Sequence, residues 1–266
     1  MTTAPGEPRP VLVTVRDGIM VITLNRPQAR NAVNRDVSLL VGDALHAAHD
    51  DRSVRAVILT GSGERSFCAG ADLKATARGE DIYHPDHNEW GFAGYTRHYI
   101  DKPTIAAVNG AALGGGTELV LASDLAVAVI GASFGLPEVK RGLIAGAGGA
   151  FRLAEQIPKK IAAAALFTGD PMSAEEARHR GLVNAVVPAD ALLDTAFALA
   201  RQIASNAPLA VRASKRISYA NDDDGVPDRV QWRRSWREFK TVLASEDAKE
   251  GVRAFADKRS PIWRGL

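Results

Sequence analysis

The 266-residue chain has a single cysteine, Cys68, so no disulfide can close within it, and that usage fits a reducing compartment. Long hydrophobic runs are missing too: nothing nears the roughly 20 consecutive apolar residues of a membrane-spanning helix. Neither sign of charge dominates. Lysine and arginine number 33 against 31 aspartates and glutamates, and the net +2 gives no reason to expect a polyanionic partner. Residues 1–10 hold three prolines and no apolar segment, which reads as a flexible start rather than a signal peptide. These absences lead us to expect a soluble, cytoplasmic protein that engages no membrane. What is there is an ordinary globular composition, 46% apolar and 24% charged, in a chain long enough to bury one large core.

Residues 11–15 and 19–24 flank Asp17-Gly18, a two-residue turn signal, and read as a β-hairpin. Residues 34–49 carry Leu39, Leu40, Leu45 and Ala48 at helical spacing. The apolar run 54–60 suits a strand buried on both faces. The same strand–turn–helix rhythm returns at 104–122, and further strands are expected at 125–129 and 183–187. This repetition implies an α/β fold. From residue 191 onward the pattern favours helix, over 191–204, 208–220, 226–244 and 247–255. Composition alone does not separate a spiral of ββα turns from an ordinary doubly wound sheet.

Two segments carry the chemical signal. Phe67-Cys68-Ala69-Gly70-Ala71-Asp72-Leu73 and Asn109-Gly110-Ala111-Ala112-Leu113-Gly114-Gly115-Gly116-Thr117-Glu118 each follow a β-like run and turn through small residues toward a helix. Such turns let backbone N–H groups face outward, where the helix dipole favours an anion. Two of them side by side could aim two N–H donors at one oxygen, which describes an oxyanion hole. Glu118 stands just inside the second turn, and Glu138 follows in Phe134-Gly135-Leu136-Pro137-Glu138. Taken singly, these features also fit an ordinary helix N-terminus, a macrodipole-favoured acid and a solvated loop acid.

Together they resemble the crotonase (enoyl-CoA hydratase/isomerase) superfamily, over residues 11–264. The anchors are Asn25-Arg26-Pro27 with Asn31-Ala32, then residues 67–73, 105–118, 134–138, 146–149 and 250–259. The resemblance implies a crotonase-like spiral of ββα turns over residues 11–195. It further implies a helical C-terminal region, 196–266, that packs subunits into a homotrimer or dimer of trimers. By the family's pattern, the N–H groups of Ala71 and Gly115 form the oxyanion hole, and Glu118 and Glu138 are the catalytic acids and bases. Gln28, Ala29, Arg30, Ala69, Asp72, Leu73, Phe255 and Lys258 fall where the family contacts coenzyme A. The last two match residues that reach a neighbouring subunit's CoA. No metal or redox cofactor is required, the substrate being carried as a CoA thioester.

Two departures stand out. Gln28 occupies a position where many relatives have lysine, although Arg30 offers a nearby cation. Ala145 replaces the proline that many hydratases carry in Ile144-Ala145-Gly146-Ala147-Gly148-Gly149. The function implied is enoyl-CoA hydration. Carnitinyl-CoA dehydration is the alternative suggested by Gly91-Phe92-Ala93-Gly94, Asp101-Lys102-Pro103 and the Ser245-to-Arg264 ending. An isomerase fits less well, because Glu118 is present.

Other motifs carry less. Gly146-Ala147-Gly148-Gly149-Ala150-Phe151 lacks the last glycine of a dinucleotide fingerprint. His84, Asp86 and His87 could bind a metal, but residues 78–89 read as a mobile surface loop. Asp222-Asp223-Asp224-Gly225 lacks calcium-loop spacing. Cys68 has no evident base and reads as a buried small residue. Residues 229–237, with four arginines and two tryptophans, could touch RNA, yet the same residue types enrich protein interfaces, and no nucleic-acid partner is expected.

Overall fold

The computed structural model describes residues 9–219 and 228–264. Residues 1–8 of the expected flexible start, the Asp222–Gly225 segment and the first two residues of the helix expected at 226–244 lie outside the described residues. Strands β1 (Val11–Arg16) and β2 (Ile19–Leu24) pair antiparallel across Asp17 and Gly18, whose φ angles are 54° and 73°. Two successive positive φ values match the twist of a tight hairpin, which is why Asp-Gly marks one. Helix α1 (Arg35–Asp50) follows, capped by Asn34, whose side chain accepts from Val37 N at 3.1 Å.

The chain then repeats one unit: a strand in a large sheet, a short strand in a second sheet, and a helix. The first unit is β3 (Ala56–Gly61), β4 (Ser66–Cys68) and α2 (Leu73–Ala77). The second is β5 (Thr104–Val108), β6 (Ala111–Leu113) and α3 (Gly115–Ala122). The third is β7 (Leu125–Val129), β8 (Ser133–Gly135) and α4 (Gly149–Gln156). Helix α5 (Lys159–Thr168), β9 (Met172–Ser173), α6 (Ala174–His179) and β10 (Ala185–Val187) complete the spiral. Among the described residues that follow, the helices are α7 (Leu192–Ala204), α8 (Pro208–Ser218), α9 (Arg229–Leu243) and α10 (Glu246–Ala256). The six-stranded sheet runs β1-β2-β3-β5-β7-β10 and the four-stranded sheet β4-β6-β8-β9. Among the described residues only the β1–β2 and β8–β9 pairs are antiparallel. The expected α/β spiral is the architecture observed. Among the described residues no helix is long and apolar enough to cross a membrane.

Burial explains the composition of the long strands. Residues 56–60 of β3 and all of β5 are buried, so these strands are apolar on both faces rather than alternating. Ile58, Leu59 and Ile105 are fully enclosed, each contributing on the order of 1.5–3 kcal/mol of apolar burial. Helix α7 covers β3, β5 and β7. Helix α8 buries no residue of its own and is held by ion pairs instead. Asp101 takes Arg212 at 2.6 Å and Arg216 at 3.1 Å, while Asp124 takes Lys215 at 2.7 Å.

Asn31 ties the hairpin exit to the first ββα turn. Its amide, 1% exposed, donates to Ser62 O at 3.0 Å and Ser66 O at 2.8 Å, and its oxygen accepts from Arg26 N at 3.0 Å. Its backbone stands at φ 55°, a conformation asparagine tolerates better than most residues. Asn31→Ala strands these buried groups and is expected to destabilise the protein by about 3 kcal/mol. A denaturant midpoint unchanged from wild type contradicts that account.

Candidate active site

The site forms where the exits of β4 and β6 lie side by side. Asn109 fixes their approach: its side-chain oxygen accepts from Gly61 N at 3.0 Å, and its amide donates to Gly63 O at 2.6 Å. Gly70 has φ 89°, and a β-carbon there would stand 3.1 Å from Leu113 O and 3.2 Å from Gly115 N. Gly116 leaves no room at all, since a β-carbon would overlap the Cys68 carbonyl. The glycines are therefore required by backbone meeting backbone.

This approach sorts the N–H groups of the first turn. Ala69 N donates to Arg30 O at 3.1 Å and Asp72 N to Val33 O at 2.8 Å. Ala71 N, between them, has no acceptor among the described residues. Gly115 N, in the first turn of α3, likewise has none; initial helix N–H groups lack intrahelical partners. The two donors thus emerge from adjacent turns.

Both glutamates stand beside them. Glu118 sits one turn into α3, 3% exposed, and its Oε1 accepts from Gly149 N at 2.9 Å. Ala147 N–H adds a second backbone hydrogen bond. Glu138 lies on the 3-10 turn Pro137–Arg141, with Oε1 toward Gly114: a β-carbon on that glycine would be 3.2 Å away. Its Oε2 is buried with no hydrogen-bond partner among the described residues. Burial, and then the charge of Glu138, hold the Glu118 carboxyl well above the ordinary carboxylate range, against the opposing pull of the two N–H groups. Burial likewise raises Glu138. The pair therefore keeps a proton at neutral pH, and it titrates as a unit.

The residues expected to contact CoA fall into two groups. Gln28, Ala29 and Arg30 form a short 3-10 turn and its left-handed cap, and the Ala69 N–H to Arg30 O bond joins them to the β4 exit. Leu73 is exposed on the same rim. The Asp72 carboxylate has a structural role there, capping α2 through Lys74 N and Ala75 N and pairing with Arg26 at 2.9 Å. Burial alone would raise its pKa, but the Arg26 bond and the cap outweigh that and hold it low. Phe255 lies elsewhere, under the Arg141 guanidinium at 4.5 Å, beside the Glu138 turn of the same chain. Lys258 is exposed just past α10, with φ 54°. Ala145 is buried below Gly149, next to Glu118.

The reading of 78–89 as a solvated loop is corrected at His84, which is 3% exposed. His84 Nδ1 accepts from Asp86 N and His87 N at 3.1 and 3.0 Å, leaving Nε2–H to donate to Asp43 at 3.2 Å. Trp90 is stacked between His87 and His98 at 4.0 and 3.9 Å, and burial pushes His98 down to about 4. No cluster of three metal-ligating side chains occurs among the described residues. Cys68 is buried, which pushes its thiol up to about 12 and leaves it unreactive. Trp232 of α9 is turned inward, 5% exposed, against Phe151.

Three neighbours of the pair escaped the sequence reading. Arg152 reaches Glu118 electrostatically, and Tyr83 feels both Glu118 and Arg97. Arg152 could have been found as the residue one helical turn beyond Gly149; nothing local marks Tyr83 or Arg97.

Residues 14–265 match the model of the enoyl-CoA hydratase/isomerase family. The chain is 46% identical over 250 residues to a carnitinyl-CoA dehydratase of Salmonella paratyphi A, covering 93% of this chain and 95% of the relative. A carnitinyl-CoA dehydratase structure from Mycobacterium avium superposes with a TM-score of 0.93 at 62% identity, covering 97% of this chain and all of the other. An enoyl-CoA hydratase structure from Mycobacterium tuberculosis gives 0.76 at 47% identity, with 97% and full coverage.

The buried pair has a stability cost with a definite sign. A carboxyl whose folded-state pKa is raised favours folding below its unfolded pKa, and that contribution is lost as pH rises through the folded pKa. Glu118→Gln is therefore expected to raise the melting temperature above wild type at pH 9, with the gap shrinking toward pH 4. A gap that is constant across this range contradicts the assignment.

Proposed function

The chain belongs to the enoyl-CoA hydratase/isomerase family, and we propose that it catalyses reversible syn hydration of a trans-2-enoyl-CoA to the 3-hydroxyacyl-CoA. It is a hydro-lyase of the crotonase type. The thioester oxygen accepts hydrogen bonds from Ala71 N and Gly115 N, so negative charge developing on that oxygen is stabilised; each such donor is typically worth about 3–4 kcal/mol. That polarisation makes the β-carbon electrophilic. Glu118 and Glu138 hold one water between them. One carboxylate takes a proton from the water as its oxygen bonds to the β-carbon, and the other carboxyl protonates the α-carbon. The same groups run the dehydration in reverse.

The observation that carries this reading is the buried, unpartnered Oε2 of Glu138, set against a Glu118 whose own Oε1 is held by Gly149 N–H. One oxygen is fixed and the other is available. The rim of Gln28, Ala29, Arg30, Ala69 and Leu73 is the seat we assign to CoA, with Asp72 shaping it through Arg26. Phe255 and Lys258 contribute from the C-terminal side. Apolar side chains exposed on the last helices, Leu209, Ile217 and Val252, support assembly through that region as a trimer or dimer of trimers. The names of the relatives favour a second reading, in which the acyl group is carnitinyl; the acid–base pair serves both.

Loss of the conjugated-thioester absorbance of crotonyl-CoA tests the proposal. Glu118→Gln and Glu138→Gln are each expected to lower kcat by ~10²–10⁴-fold. In wild type, turnover falls at alkaline pH as the pair surrenders its last proton, above the ordinary carboxylate range. Undiminished turnover in Glu138→Gln sinks the mechanism.

A further inference from the structure

A cationic groove runs close to the acid–base pair. Gly149 touches Glu118, and a β-carbon on the adjoining Gly148 would stand 3.1 Å from Arg152 Nη1 and 3.3 Å from the Trp232 ring. The Arg97 guanidinium lies over that ring at 4.9 Å. Beyond it, one face of α9 presents Arg233, Trp236, Arg237 and Lys240 around a groove of about 550 Å³. Glu118 is thus separated from Arg97 by a glycine pair and one indole.

Arg97 packs against Trp232 and Gly91, yet no anion pairs with it among the described residues. It is half-buried, and among the described residues its guanidinium has no hydrogen-bond or ion-pair partner. The described acids nearby are engaged: Asp228 with Arg152 at 3.2 Å, Glu238 with Arg237 at 3.2 Å, Glu89 with His87 at 2.9 Å and Glu155 with Gln231 at 3.3 Å. Burial first, and then the charge of Arg152, hold the Arg97 pKa below its ordinary value, a cost that an anionic partner would relieve. The Tyr83 phenol, also without a hydrogen-bond partner among the described residues, lies within electrostatic reach of both Glu118 and Arg97. A half-buried guanidinium with no counter-ion suits a carboxylate.

We propose that Arg97 and the groove behind it bind a carboxylate at the far end of the acyl group, so that the preferred substrate is an enoyl-CoA of a dicarboxylic acid. This rests on the hydratase reading above and adds the charge of the acyl group to it. It also runs against a carnitinyl substrate, whose trimethylammonium cation would meet Arg97 with like charge.

Wild-type protein is assayed with trans-2-hexenoyl-CoA, trans-2-hexenedioyl-CoA, crotonyl-CoA and crotonobetainyl-CoA. The first two match in length and differ in terminal charge. The expected result is a kcat/KM for the hexenedioyl thioester at least ~10-fold above that of the hexenoyl thioester, from a charge-assisted pairing. Arg97→Gln should collapse that ratio toward one, and Arg97→Lys should retain part of it. A wild-type ratio of one or less, or faster turnover of crotonobetainyl-CoA than crotonyl-CoA, overturns the inference and leaves hydration standing. Failure to hydrate any of the four thioesters overturns the hydratase reading itself. The wild-type ratio is decisive even if a variant folds poorly.

Discussion

The constraint on which the rest of the site depends is the contact between two backbones. The β4 exit and the β6 exit approach so closely that Gly116 has no space for a side chain against the Cys68 carbonyl, and Gly70 lies against Leu113 and Gly115. That approach aims Ala71 N and Gly115 N outward from adjacent turns. It also starts α3 at this point, and α3 carries Glu118 inward at its first turn. Moving either strand by one residue would turn a donor away and shift the carboxylate with it.

Around that contact the protein concentrates polar cost. Two carboxyls are buried together, one of them with an unpartnered oxygen, and the compensation is partial: Gly149 N–H and Ala147 N–H hold Glu118, and Arg141 lowers Glu138 from a distance. A fully compensated pair would be two ordinary carboxylates and poor at moving protons near neutrality. Incomplete satisfaction favours a proton retained in the pair, as the proposed acid–base role requires. The enclosing wall is apolar and small-residue rich, with Phe92 against Gly115 and Ala145 under Gly149. The apolar burial that stabilises the fold is concentrated in the six-stranded sheet, whose strands β3 and β5 are almost wholly enclosed.

Much of the fold was legible in the sequence. The Asp17-Gly18 turn, the both-face burial of β3 and the bounds of β5 and β7 follow from turn chemistry and apolar runs. The three-residue strands β4, β6 and β8 were not, because three residues show no periodicity. Glu118 and Glu138 could be nominated from their positions at turns, but their burial could not, since it comes from residues 145–149 and from Gly114. Residues 78–89 look solvated by composition, yet His84 finds Asp43 on α1 and two backbone N–H groups, contacts that only the tertiary fold supplies. Tyr83 comes within electrostatic reach of Glu118 and of Arg97 through the same long-range packing.

The central claim is that Glu118 and Glu138 share one proton at neutral pH, and infrared difference spectroscopy of the protonated carboxyl stretch tests it most directly. The account predicts a carboxylic-acid band in the wild-type protein at pH 7 that the double variant Glu118→Gln/Glu138→Gln removes, and that disappears in wild type only at alkaline pH. A wild-type spectrum with no such band until the pH falls below about 5, where free glutamates protonate, would contradict it.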